Sequence, residues 1–423
     1  MRVRIVAAAA LVIGLAAVIA ATGLASTKDQ SITVWLQVDA QNGWPAAVKA
    51  AGDTFEQQHP GVSVKVQYQT WGEHLTKLDA SLAGGNSPDV VELGNTETVK
   101  YMANGALADL TSAKAQFPNS KTWLKGLADS GIYNGKTYAV PYYAGARAVI
   151  YNVSLYKQAG VSTRAPKSLA EFLANGKKLM NKFGSDPSFS ALYWPGRYWY
   201  GGMAFVYDYG GQIAVQRNGK WQGALESPQA QAGLTELKTV VRALSRANFT
   251  GDEAHPQQAL VFAKGKVGSF LGNGWEWPYA LDAKVGNPAL AGHIGAFPMP
   301  SHTPGKVMPT FLGGSDLAVP VTSKSKQLAI DWIKAFTSNA NETKIALAGN
   351  IPNTTSLVKI NAAKPTLAAF ARAAANSWFV PAAKNWANVE NANVLQSMLS
   401  KILSGHESIS DATHSADQQI TQI

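Results

Sequence analysis

The side chains with the most evident chemical use in this chain are flat ones. It carries 12 Trp, 14 Tyr and 14 Phe in 423 residues, and several stand where a core would not place them. Residues 193–200 (YWPGRYWY) hold five aromatics in eight positions, interrupted by Pro195 and Gly196. Residues 270–279 (FLGNGWEWPY) set Trp275 and Trp277 on either side of Glu276, between Gly274 and Pro278. Trp71 follows an alternating segment, and Tyr142 and Tyr143 open an extended one. A buried Trp also needs a partner for its N–H, which makes it a demanding core filler. Aromatics on loops broken by Gly and Pro, next to polar side chains, suit a small-molecule site with flat apolar walls and a few orienting hydrogen bonds. A sugar ring offers the matching surface, with C–H faces for stacking and hydroxyls around the rim. The plain alternative is packing between loops and core.

Other chemistry is less visible. Asp39, Glu73, Glu92, Glu97 and Glu276 fall near expected strand ends, where each is either a ligand or a helix cap or surface charge. A pair of carboxylates could hydrolyse a glycoside, but their separation is a spatial quantity, and nothing singles out an acid and a nucleophile. There is no G-x-S-x-G elbow and no H-E-x-x-H pair, and the histidines at 59, 74, 255, 293, 302, 406 and 414 never pair at metal-ligand spacing. Residues 131–137 (GIYNGKT) leave three residues between the glycines where a phosphate loop needs four. Cysteine is absent, which excludes disulfides, thiolate metal sites and a lipid anchor on an N-terminal Cys. No metal and no cofactor are therefore expected. The net charge of +10 is spread thinly, with Lys177-Lys178 the only adjacent basic pair, so the reading is a solvated basic surface and no nucleic-acid interface.

These side chains need elements to hold them. Residues 31–38 and 62–68 read as strands, and 89–93 as a short buried one. Trp44, Val48, Ala51 and Phe55 recur at helical spacing between the first two, and Leu75, Leu78 and Leu82 between the second and third. This βαβαβ order implies a parallel sheet, whose ligands bind beyond the carboxyl ends of its strands, here at 39–43, 70–74 and 94–98. Asn134-Gly135 between Tyr133 and Tyr138 marks a tight hairpin. An extended segment spans 140–152, and Ser168 with Glu171 forms a capping-box pattern. Further helices are expected over 228–247, 322–337 and 381–403. At the start, Arg2 and Arg4 precede an uncharged, largely apolar run over 5–25, the pattern of a secretory signal. The run exceeds the usual length, so an uncleaved membrane anchor is the alternative.

The order of local patterns resembles a family. Residues 87–93 (SPDVVEL), followed by Asn104-Gly105-Ala106-Leu107 and Leu110-Thr111, are similar to the extracellular solute-binding proteins that serve ABC sugar importers. Residues 135–152 (GKTYAVPYYAGARAVIYN), with Leu155-Tyr156 after them, resemble the segment by which that family enters its hinge. Residues 262–277 (FAKGKVGSFLGNGWEW) resemble the stretch where maltose-binding protein and its relatives place a stacking Trp. Gly313-Gly314-Ser315 before Leu317-Ala318-Val319 resembles the second crossover, and 403–412 the C-terminal helix pair. Residues 91–96 (VELGNT), with 123–126 and Ser130-Gly131, look most like binding proteins for diacetylchitobiose and related oligosaccharides.

The resemblance implies an α/β, two-lobed periplasmic-binding-protein fold of type II. Each lobe would be a mainly parallel sheet flanked by helices, with three hinge crossings near 143–147, 313–315 and 349–353. It places 1–25 as signal or anchor, 26–143 with 315–350 in an N-terminal lobe, and 144–314 with 351–423 in a C-terminal lobe. It implies a non-catalytic, exported and monomeric receptor. Its partners would be an oligosaccharide and the permease of an ABC importer. Carried over residue by residue, Asp39, Trp71, Glu92 and Asn95 would line the N-lobe side, Arg147 the crossover, and Trp199, Trp275, Trp277 and Trp386 the C-lobe side. A non-sugar solute on the same fold and an exported glycoside hydrolase are the alternatives.

Overall fold

A computed structural model describes residues 30–422 except Ala382; the expected signal over 1–25 lies outside the described residues. The larger sheet runs in the order Ile351–Pro352, Ala139–Gly145, Gly313–Ala318, Val90–Gly94, Gln30–Gln37, Val62–Gln69. Val62–Gln69 is one of its two edge strands, and its alternating sequence VSVKVQYQ exposes Ser63, Lys65 and Gln67. Val90–Gly94 is interior and buried at every position, which is why it reads as a continuous apolar run broken only by Glu92. Val48, Phe55, Trp332, Ile333 and Phe336 share one core against this sheet.

The three strands read first from sequence pair in parallel, Gln30–Gln37 lying between Val62–Gln69 and Val90–Gly94. The rest of the sheet does not. Gly313–Ala318 is antiparallel to both of its neighbours, and Ile351–Pro352 is antiparallel to Ala139–Gly145. The second lobe's sheet, with Arg147–Asn152 between Ser269–Asn273 and Ile294–Phe297, is antiparallel throughout. The expected mainly parallel sheets are thus a mixed one and an antiparallel one. Direction of entry explains this. Strands of a βαβ unit end at the cleft, whereas a strand arriving from the other lobe begins there and must run the opposite way. Ser315 accordingly pairs with Gly94, and Arg147 with Asn273, start against end.

The chain passes from the larger sheet to the smaller through Ala146, between Ala139–Gly145 and Arg147–Asn152. It rejoins the larger sheet at Gly313, which pairs with Gly145. Ile351 and Pro352, assigned above to the other lobe, still pair with Ala144 and Tyr143. The expected hairpin is present, with Asn134 and Gly135 both at positive φ, as a two-residue turn of this hand requires. Ser168 caps Leu169–Phe183 by accepting the Glu171 N–H, while the Glu171 carboxylate reaches back to the N–H of Lys167 rather than that of Ser168. The single helix expected over 381–403 is two, Trp386–Asn391 and Val394–Ser404. Asn393 breaks it in the left-handed region, at φ 54°, where Asn is tolerated better than most residues. Among the described residues no helix is long and apolar enough to cross a membrane.

Candidate functional site

The strand ends of both lobes converge on a cleft of about 390 Å³, within the range of small-molecule sites. One wall follows the strands Gln30–Gln37, Val62–Gln69 and Val90–Gly94. It presents Asp39, Trp71, Asn95 and Glu97. Trp71 is 40% exposed, so its ring is not core packing. Its indole N–H donates to Asp39 Oδ2 at 2.6 Å, and His74 meets its ring edge-on at 5.1 Å between centroids. His74 is buried, with Nδ1 2.8 Å from the Trp71 carbonyl and Nε2 2.9 Å from Glu97 Oε2. The Gly94 N–H donates to the same Glu97 oxygen. Burial alone would lower the His74 pKa, but the hydrogen bond and charge of Glu97 raise it overall. Burial raises the Asp39 pKa, against the Trp71 hydrogen bond.

The facing wall is built from Arg147, Tyr198, Tyr200, Glu253, Gln258, Asn273, Trp275 and Glu276. Arg147 is only 9% exposed. Its guanidinium carbon lies 4.5 Å from the Tyr200 ring centre, 5.7 Å from that of Phe311 and 5.9 Å from that of Tyr198. Its Nε has no partner among the described residues. Glu276 starts the short helix Glu276–Ala280 and accepts from the Asn273 N–H and from Gln258 Nε2, at 2.7 and 3.2 Å. Burial raises the carboxyls of Glu253 and Glu276 to about 7. Glu390 ties the walls together. Its Oε1 accepts from Trp386 Nε1 and its Oε2 from Thr96 Oγ1 of the opposite wall. Burial, then the charge of Glu97, raises it to about 8.

Trp275 follows a close backbone contact. A Cβ on Gly274 would stand 2.1 Å from the Gly349 carbonyl oxygen, and one on Gly349 would stand 2.8 Å from Gly274 and 2.9 Å from the Trp275 nitrogen. Gly349 also sits at φ +108°. Only glycine fits either position.

Of the nine residues singled out from sequence, the cleft brings together Asp39, Trp71, Asn95, Arg147 and Trp275. The other four do not line it. Glu92 lies two residues inside its strand, 1% exposed, where Oε2 accepts the Gln37 N–H at 2.8 Å and burial raises its pKa to about 8. Trp199 opens the helix Trp199–Asp208 and turns into the core beside Phe311 and Trp378. Trp277, two positions past Trp275 and so roughly 200° around its helix, packs against the Phe262 and Phe270 cluster. Trp386 is fully buried. The run over 193–200 thus marked the right place, but it is Tyr198 and Tyr200 that line the cleft. Asn273 lay within the run over 270–279 but was passed over for its tryptophans, while Glu253, Gln258, Phe311 and Glu390 had no motif around them to single them out as wall residues. Glu253 sits in an unremarkable loop (GDEAHP) whose position is set only by the fold.

Two α/β lobes joined by strands that cross between them, with a polar and aromatic cleft at the junction, define a type II binding protein. The chain belongs to the bacterial extracellular solute-binding protein family, whose profile matches residues 37–343. It is 35% identical to the diacetylchitobiose binding protein DasA of Streptomyces coelicolor over 379 residues, 89% of this chain and 86% of that protein. Among solved structures, the GacH receptor of Streptomyces glaucescens superposes with a TM-score of 0.80 at 23% identity, covering 93% of this chain and 98% of that one. The sugar-binding protein MalE of Xanthomonas citri does so at 0.77 and 19%, covering 93% and 97%. The two-lobed type II fold expected from sequence is the fold observed, with strand direction the part corrected above.

Proposed function

We propose that this protein is an exported, non-catalytic receptor that closes on an oligosaccharide and delivers it to the permease of an ABC importer. An N-acetylated disaccharide such as diacetylchitobiose is the first ligand to test. The observation that carries this reading is the pairing of two exposed or half-exposed indoles, Trp71 and Trp275, with cleft-facing polar groups. The Arg147 Nε and Asn273 Oδ1 have no partner among the described residues. Stacking faces plus unsatisfied donors and acceptors are what a sugar ring and its hydroxyls complete. The similarity to DasA supports the choice of ligand. Trp71, Asn95, Arg147 and Trp275 would hold it, with Asp39 orienting Trp71. Glu92, Trp199, Trp277 and Trp386 would act from behind, as supports.

The test is calorimetric titration of chito-, cello-, malto- and xylo-oligosaccharides, with the products analysed afterwards. Saturable 1:1 binding, a melting temperature that rises with ligand, and unaltered sugar are expected. No binding by any sugar would overturn the sugar assignment, and release of new reducing ends would overturn the non-catalytic one.

A further inference from the structure

One buried side chain at the joint between the lobes is left open by the fold; the step taken from it rests on the receptor reading above. Asn350 lines the cleft and is 1% exposed. Its backbone is satisfied. The N–H donates to the Ile345 carbonyl at 3.3 Å, and the carbonyl accepts from Asn361 Nδ2 at 2.9 Å. Its side chain is not, since neither Nδ2 nor Oδ1 has a partner among the described residues. The polar groups behind it are engaged elsewhere: Glu342 Oε2 accepts the Asn353 N–H, Asn353 Nδ2 donates to the Pro141 carbonyl, and Asn361 Nδ2 also reaches the Ala346 carbonyl. Glu342 Oε1 and Asn361 Oδ1 are open as well, but neither residue lines the cleft. A buried amide with both ends unmet costs the unliganded protein stability, and such costs collect where a protein binds something.

The place of Asn350 says what it meets. It follows Gly349, on which a Cβ would stand 2.9 Å from the Trp275 nitrogen, so it is a close neighbour of the stacking candidate on the facing wall. An amide is uncharged and carries a donor and an acceptor side by side. A hydroxyl can serve as either partner, and two hydroxyls on adjacent ring carbons meet both atoms at once. We infer that Asn350 is a specificity-determining residue of the cleft that binds a pair of adjacent ring hydroxyls, Nδ2 donating to one oxygen and Oδ1 accepting the proton of the next.

The test takes whichever disaccharide of the chito-, cello-, malto- and xylo- series binds most tightly, together with its monodeoxy analogues. It sets the unaltered full-length protein against two variants. Asn350→Leu keeps the size and removes both polar atoms, and Asn350→Ala decides the matter where Leu disturbs folding. Calorimetry should find the sugar bound roughly 5- to 100-fold more weakly by either variant, the span of two neutral hydrogen bonds. The urea midpoint of unliganded Asn350→Leu should be unchanged or higher, because an unmet amide has gone. Two analogues lacking adjacent hydroxyls should bind the unaltered protein several-fold more weakly than the parent sugar does, yet bind Asn350→Ala as well as the parent does. That non-additivity marks a direct contact. Unchanged affinity in the variants would overturn the assignment. So would a lower urea midpoint with affinity intact, which would place Asn350 in an internal water network. Losses that simply add at every deoxy position would overturn it too. In each of these cases the receptor reading stands, whereas failure of the unaltered protein to bind any sugar would overturn both.

Discussion

The two walls of the cleft are finished to different degrees. Where the wall follows Gln30–Gln37, Val62–Gln69 and Val90–Gly94 the polar groups satisfy one another, Trp71 with Asp39, His74 with Glu97, and Glu97 with the Gly94 N–H, and among the described residues the open side-chain atoms lining that side are those of Asn350 at its far edge. On the facing wall the Arg147 Nε, Gln258 Oε1 and Asn273 Oδ1 lack partners among the described residues. A wall whose side chains already hold one another presents a fixed surface at little further ordering cost. A wall with open donors and acceptors discriminates, because only the right ligand fills them. In the proposed receptor the first wall would be a platform and the second would read the ligand.

Four experiments would break or sharpen this contrast. Trp386 supports the reading wall from within, fully buried and bonded to Glu390. Trp386→Ala should destabilise the protein by about 3–5 kcal/mol in urea unfolding, as large core truncations do; a loss under about 1 kcal/mol would mean the wall does not depend on it. Trp275→Ala should cost about 2 kcal/mol of binding, the scale of an interfacial aromatic anchor, with the melting temperature nearly unchanged. Unchanged affinity would remove Trp275 from the site. Trp71→Ala should cost less, about 1 kcal/mol, since its partners stay in place. A larger loss than at Trp275 would reverse the roles of the two walls.

The last concerns pH. Glu92, behind the platform, is raised to about 8 and Glu276, in the reading wall, to about 7, both by burial. A carboxyl whose pKa is higher folded than unfolded binds more protons in the native state. Its contribution is full below the unfolded value, near 4.5, and is lost as pH rises through the folded value. The unliganded protein should therefore lose stability as pH rises from about 5 to 8, by at most about 1.4 kcal/mol per pH unit for one group. Glu92→Gln should flatten the decline up to about pH 8, and Glu276→Gln only up to about pH 7. A stability flat over this window would show that neither carboxyl is held protonated.

Much of the architecture was legible because local pattern and tertiary role agreed. The βαβαβ order, the Asn134-Gly135 hairpin and the Ser168 cap each follow from spacing that the fold uses directly. Strand direction was not, because Gly313–Ala318 takes its sense from the lobe it leaves, information that lies outside its own residues. Trp386 and Trp199 show the limit for the site. Residue type suggests stacking, but which way a ring turns is decided by helix phase and by what packs behind it, and their neighbour Tyr200 faces the opening instead.

The paired glycines give Trp275 a mechanical part. Backbone touches backbone at Gly274 and Gly349 with no side chain to act as a cushion, and Gly349 leads straight into Ile351–Pro352, the edge strand of the opposite sheet. Trp275 thereby stands next to the point where the two backbones meet. A ligand ring resting on its indole would therefore sit one residue away from the point where backbone meets backbone. Widening that joint with a single methyl, at Gly274→Ala, would slip the gear without touching the surface that meets the sugar.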